Sequence, residues 1–116
     1  MMPVFYTDSA WFQLHIVNLG PADVTGVGVP SGDITLADGA VTVFSFRSPT
    51  LVVGRDPFAG VVPVGATVDV SGHGVGDVHA TYTHCGEEVR LSVVVVRDAA
   101  PAIRLESEPF RLGCSE

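Results

Sequence analysis

Residues 34–43 have the sequence ITLADGAVTV and decide the fold class, because they predict a β-hairpin. The dipeptide Asp38-Gly39 favours the two positive-φ positions of a type I′ turn. Such a turn fixes the register, so that apolar residues share one face and threonines share the other. The predicted opposite pairs are Leu36 with Val41, Ile34 with Val43, and Thr35 with Thr42. The segment therefore predicts two antiparallel strands with one apolar face.

The same alternation occurs upstream of the hairpin. Phe12, Leu14 and Ile16 alternate with polar residues, which predicts a strand with one buried face. The turn residues at 18–21, Asn-Leu-Gly-Pro, end this strand. A second strand is expected over residues 24–29.

Residues 66–97 predict a three-stranded antiparallel meander. Gly74-Val75-Gly76 is expected to form the first connection, and Gly86-Glu87 is expected to form a type II′ turn. The resulting opposite pairs are Val70 with Ala80, Val68 with Tyr82, His84 with Val89, Tyr82 with Leu91, Ala80 with Val93, and Val78 with Val95. Residues 93–96 are apolar on both faces and predict a central strand. Short strands are expected around residues 103–105 and 110–114, whereas residues 49–63 predict an edge strand and a loop that crosses between sheets.

These signals together predict an all-β fold. Helical periodicity is nearly absent, and 13 Gly and 8 Pro interrupt the chain of 116 residues. Short strands separated by turns every 8–12 residues are typical of two packed sheets. We therefore expect a single domain, residues 1–116, with an immunoglobulin-like antiparallel β-sandwich of about 7–8 strands. A small barrel is the alternative.

The charge balance restricts the partners. The 13 acidic residues outnumber 6 Arg, Lys is absent, and the formal net charge is −7. This balance disfavours nucleic acid and anionic membrane surfaces. No apolar run approaches the ~20 residues that span a bilayer, so we expect a soluble chain without membrane insertion. An exported or extracellular location is expected if the chain is an excised domain, and a cytoplasmic one if Met1 is native.

Residues 12–29, with the sequence FQLHIVNLGPADVTGVGV, resemble bacterial immunoglobulin-like adhesion-type domains. Those modules show a strand, an Asn-x-Gly-Pro-Ala turn and a second strand. Residues 64–70 also look like a glycine-led strand of that family. The resemblance implies a non-catalytic spacer, adhesion or recognition module.

Catalytic patterns are missing from the sequence. It contains no Gly-x-Ser-x-Gly elbow and no Lys, so no enzyme activity and no cofactor are expected. The alternative is a small metal- or ligand-binding β protein. His73, Asp77 and His79 share the non-core face of the predicted meander, with His73 opposite Asp77, and form a possible two-His, one-carboxylate set. A solvated polar face is the simpler interpretation.

Two further groups of residues carry structural expectations. Cys85 and Cys114 are candidates for one disulfide that would anchor the C-terminal strand. Trp11, Tyr6 and Phe5 could form an aromatic platform for a sugar or peptide, although burial of Trp11 is the favoured interpretation.

The strand edges favour association with another protein. Val-rich strands with few charges and no Lys lack a common means of blocking edge pairing. We therefore expect a protein-interaction or structural module that binds a protein partner or self-associates, with a homodimer as one form.

Overall fold

The structure, a computed structural model, describes residues 8–39, 41–76 and 86–112. These residues form nine β-strands, and none of them forms a helix that could cross a membrane. The strands are β1 Asp8–Val17, β2 Gly28–Leu36, β3 Thr42–Arg47, β4 Thr50–Val53, β5 Asp56–Pro57, β6 Thr67–Gly76, β7 Glu88–Val96, β8 Ile103–Glu106 and β9 Phe110–Arg111.

The strands form two antiparallel sheets that pack against each other. The first sheet has the order β1-β6-β4-β5. The second has the order β3-β2-β7-β8, and β9 pairs with the beginning of β7. The prediction of an all-β, sandwich-like fold is confirmed. The strand number exceeds the predicted 7–8 because the described part of the chain includes the two-residue strands β5 and β9.

The hairpin at residues 34–43 is confirmed, with an irregularity in its register. Thr35 lies opposite Thr42, as predicted, and Leu36 N–H donates to the carbonyl of Val41 at 2.9 Å. Ile34 lies opposite Phe44 rather than Val43, because a bulge between Ile34 and Thr35 shifts the register. Val43 and Phe44 are consequently both buried.

The turn of this hairpin differs from the predicted type I′. Gly39 has a positive φ of 78°, but Asp38 does not, and type I′ needs both. Gly39 N–H donates to the carbonyl of Leu36 at 2.7 Å, which places Ala37 and Asp38 at the centre of the turn.

The predicted meander is wrong in its first connection and in the neighbours of its last strand, and its predicted middle strand, residues 78–84, lies outside the described residues. Residues 74–76, predicted as a loop, belong to β6 and lie opposite residues 8–10 of β1. Strand β7 has β2 on one side and β8 with β9 on the other, so Val93 lies opposite Gly32 and Leu105 instead of Ala80. The central position of β7 is confirmed, and so are the two short C-terminal strands.

Two other predicted strands need correction at their ends. The strand expected over residues 24–29 begins only at Gly28, and Val24 forms a single bridge with Val62. Between residues 49 and 63 the chain forms β4, which pairs with β6, and the edge strand β5.

Glycines on the inner face of β6 make room for the phenylalanine rings of the core. Gly72 faces the ring of Phe12, and Gly74 faces the ring of Phe46, so closely that a Cβ atom at either glycine would overlap the ring. Gly32 of β2 lies opposite Phe46 within the second sheet and approaches the same ring from that side. The Phe46 ring therefore fills a space between the sheets that a side chain at Gly32 or Gly74 would block.

Asn18 closes the end of the sandwich where β1 stops. It is 4% exposed, and its amide group donates to the carbonyls of Ala22 and Val62, each at 2.9 Å. Its Oδ1 accepts from Gly20 N–H at 2.9 Å. Asn18 thus bonds to three backbone groups around the turn, and Val62 O also accepts from Val24 N–H at 3.0 Å.

We expect Gly74→Ala to destabilise the fold by about 1–3 kcal/mol, because the added methyl group forces the Phe46 ring out of its place. Gly28→Ala is the matched control, since its Cβ would lie 3.7 Å from Val96 Cγ2, an ordinary contact. Urea unfolding of both variants measures the difference. Equal unfolding midpoints would contradict the close packing of Phe46 on Gly74.

We expect Asn18→Ala to lower the free energy of unfolding by about 1–3 kcal/mol, because the turn loses three hydrogen bonds to backbone groups and Val62 O keeps only Val24 N–H as a donor. Leu19→Ala is the control in the same turn, and its side chain is almost fully exposed. Thermal unfolding checks the prediction. An Asn18→Ala variant as stable as Leu19→Ala would show that the turn does not depend on the amide.

Candidate functional site

Strand β1 lies at the edge of the first sheet. Within the described ranges its only strand partner is β6. The backbone of Asn18 points toward β6, because its N–H donates to Ala66 O at 3.0 Å and its carbonyl accepts from Gly65 N–H at 3.1 Å. Backbone groups of successive strand residues point to alternate sides. The even-numbered residues of β1 therefore bond to β6, and Ser9, Trp11, Gln13, His15 and Val17 direct their N–H and carbonyl groups outward.

An apolar cleft lies beside this edge. Phe12, Leu14 and Ile16, on the inner face of β1, are only partly buried. Ile103 and Leu105 of β8 lie opposite Val95 and Val93 on the inner face of the second sheet, yet they are 39% and 44% exposed. The first sheet thus stops at β1 and leaves the inner face of β8 uncovered.

The cleft extends along most of β1. It consists of two adjoining parts with volumes of about 300 and 540 Å³, and His15 and Leu105 line both of them. The larger part continues to Val17 and Asn18 at the end of the strand. If the first sheet had one more strand next to β1, that strand would fill both parts of the cleft.

The outer face of β1 carries an exposed aromatic ring. Trp11 is 73% exposed, so its expected burial is wrong. Its indole stacks on the imidazole of His73, with ring centroids 4.0 Å apart and an interplanar angle of 13°. The stack follows from the register, because Trp11 and His73 lie opposite each other. Tyr6 and Phe5, the other members of the predicted aromatic platform, lie outside the described residues.

The edge of β1 carries little charge. From Ser9 to Val17 it contains no Asp, Glu, Lys or Arg. His15 Nδ1 lies 2.6 Å from Asp69 Oδ1, and both side chains are more than half exposed. An exposed pair of this kind contributes at most about 1 kcal/mol to stability. The carboxylate of this pair belongs to Asp69 of β6, and β1 itself has no acidic side chain between Ser9 and Val17.

The predicted pairing of His73 with Asp77, which grouped the candidate metal ligands, is wrong. His73 lies on the outer face of β6, as expected, but its opposite residues are Trp11 and Thr50 rather than Asp77. Asp77 and His79 lie outside the described residues, and so do Cys85 and Cys114 of the predicted disulfide. Among the residues with described positions, no three His, Cys, Asp or Glu side chains gather closely enough to hold a metal ion. Metal binding and the disulfide stay predictions.

The cleft was not predicted from the sequence. The available signal was the alternation of Ile103 and Leu105 with Arg104 and Glu106, which predicts a strand with one apolar face. That alternation does not show whether another element covers the apolar face. Only the relative widths of the two sheets reveal that it is open.

Comparisons with protein-family models, with curated proteins and with solved structures found no match. The β1 edge and the cleft beside it are therefore the features from which a function can be inferred.

We expect calorimetric titration with Zn²⁺ to show no stoichiometric binding that depends on histidine, because His73 is engaged by the Trp11 ring. A His73→Ala/His79→Ala double variant is the comparison. A tight one-to-one complex of the original chain that this variant abolishes would instead support the metal-binding alternative.

Proposed function

We propose that this chain is a non-catalytic interaction module, an immunoglobulin-like β-sandwich that binds an extended segment of a protein partner along β1. The observation that carries the proposal is the row of outward N–H and carbonyl groups on β1 beside the exposed Ile103 and Leu105. A strand added there continues the first sheet and covers the open face of β8. Main-chain hydrogen bonds then supply affinity, and alternate side chains supply specificity.

The distribution of polar side chains supports a binding role over a catalytic one. Catalysis by acid, base or nucleophile needs such groups to converge on one reacting atom. His15 and Asp69 pair with each other on an exposed surface, and Asn18 is engaged entirely by backbone groups. The groups that line the cleft beside β1 are instead largely apolar.

The resemblance of residues 12–29 to bacterial immunoglobulin-like adhesion-type domains also supports this proposal. The strand in that stretch is β1, and the Asn-x-Gly-Pro-Ala turn is the one that Asn18 closes. A module used only as a spacer would need neither an exposed strand edge nor an apolar cleft next to it. Both features favour recognition as the role within that class.

Selection from a random peptide library tests the proposal directly. We expect selected peptides to alternate apolar and polar residues and to slow amide hydrogen exchange at Trp11, Gln13 and His15, whose N–H groups point outward. Gln13→Pro removes one of these N–H groups at an edge position that tolerates proline, so it should weaken peptide binding at least about tenfold.

Gln13→Ala is the matched control for this experiment, because it shortens the same exposed side chain and keeps the N–H group. It should bind the peptides as the original chain does. Peptides that protect other strands, or that bind the proline variant unchanged, would contradict recognition along β1.

A further inference from the structure

We propose that the extended segment bound along β1 is basic, with an arginine whose side chain stacks on the free face of the Trp11 indole. The inference rests on the proposed function and specifies the chemistry of its partner. It is argued from the position of the Trp11 ring and from the charges around it.

The indole of Trp11 has one covered face and one free face. Trp11 and His73 lie opposite each other on the outer face of the first sheet, and their rings stack nearly parallel at 4.0 Å. Because His73 belongs to β6, its imidazole covers the indole face that looks toward β6. The other face looks toward the open side of β1, which agrees with the large exposure of the ring.

An added strand brings a side chain to this free face. The N–H and carbonyl groups of Trp11 point outward, so one residue of the added strand pairs with Trp11. Neighbouring strands lie only about 4.7–4.9 Å apart, and directly opposite side chains project to the same face of the sheet. A cation interacts with an aromatic ring when it lies within about 6 Å of the ring centroid. The side chain opposite Trp11 is therefore within reach of the indole.

Arginine has the shape and charge that suit this position. Tryptophan is the best of the aromatic side chains at attracting a cation to its face. The planar guanidinium of arginine stacks flat on such a ring, while its methylene groups cover the remaining apolar surface. An apolar side chain would also cover the ring, so the surrounding charges decide between the two.

The strands of the first sheet carry acidic side chains and no basic ones other than histidine. They contain three Asp and no Lys or Arg. Asp69 lies on the outer face, like Trp11, and its side chain is more than half exposed. Four of the six arginines lie instead in strands of the second sheet, at positions 47, 90, 104 and 111. The sheet that receives the added strand therefore favours a basic segment over an acidic one.

The charges beside the cleft also favour a cation near Trp11. Glu106 lines the smaller part of the cleft together with Phe12, the residue next to Trp11. Arg97 lines the larger part, which reaches Val17. Val17 lies six residues beyond Trp11, or about 20 Å along the strand. The acidic side chain is thus at the Trp11 end of the cleft and the basic one toward the other end.

The charge of the whole chain acts in the same direction. Its net charge of −7 attracts a basic segment and repels an acidic one. Such attraction raises the association rate and weakens as salt is added. A basic partner strand is therefore favoured at long range by the net charge and at contact by the indole.

Peptides selected on this chain from a random library test the inference. We expect arginine to be enriched at one outward position, with apolar residues on either side of it. In nuclear magnetic resonance spectra, the side-chain protons of that arginine should shift upfield, because they lie over the indole. The emission of Trp11, the only tryptophan, should change on binding.

Replacing that arginine by citrulline removes the charge and nearly keeps the shape. We expect the citrulline peptide to bind the original chain about threefold to tenfold more weakly. Raising the ionic strength from about 0.05 to about 0.5 M should weaken the arginine peptide more than the citrulline peptide. A glutamate at the same position should bind more weakly than citrulline.

A substitution of the ring shows whether the indole is the group that recognises the cation. Trp11→Leu keeps the backbone groups of β1, so it should still bind both peptides, with affinities within about twofold of each other. Val75→Leu is the matched control, because Val75 is an exposed residue on the same outer face, and this variant should keep the preference for arginine. Far-ultraviolet circular dichroism checks the fold of both variants, and the citrulline comparison needs no variant at all.

The outcomes separate this inference from the proposed function. Selected peptides with an apolar, aromatic or acidic residue beside Trp11 would overturn the inference, and so would equal affinity for arginine and citrulline. An arginine preference that Trp11→Leu leaves unchanged would overturn it as well. If those peptides still slow amide exchange at Trp11, Gln13 and His15, the interaction module stands. A chain that binds no peptide would contradict both.

Discussion

The Phe46 ring between Gly32 and Gly74 is the contact on which the rest of the structure depends. The ring lies between the two sheets, and each sheet meets it with a residue that has no side chain. Phe12 and Phe44 pack beside it, with ring centroids 5.7 and 6.1 Å away. A chain with few large apolar residues thus obtains a dense core by fitting aromatic rings onto bare backbone. Residues 72–76 form the end of β6, and this strand places Gly72 and Gly74 beneath the rings.

The extension of β6 through Gly76 determines the position of β1. Strand β6 pairs with β1 over ten residues and with β4 on its other side, so β1 becomes the edge of its sheet. The second sheet continues further, to β8, and Ile103 and Leu105 lie beyond the reach of β1. The packing of phenylalanine on glycine in the core therefore has a consequence at the surface. It leaves a strand edge and an apolar cleft side by side.

Recognition of another protein would use two physical features of this edge. Outward backbone groups give a row of hydrogen bonds, and the cleft gives apolar burial. Strand β1 contains no Asp, Glu, Lys or Arg between Ser9 and Val17, so a strand added there would bury no charged side chain of β1. Native proteins commonly place Lys, Pro or a bulge on such an edge to prevent association. None of these occurs between Ser9 and Val17.

The sequence by itself determined the strands whose polar and apolar residues alternate, because side-chain direction in a strand has a strict period of two. Strand β1 and the hairpin pairs Leu36 with Val41 and Thr35 with Thr42 follow from that rule. The role of Gly74 and Gly76 was decided only by the tertiary structure, because glycine is common both in turns and beneath a packed ring. The cleft likewise required the tertiary structure. Alternation at Ile103 and Leu105 indicates which face is apolar, but the width of the opposite sheet decides whether that face is covered.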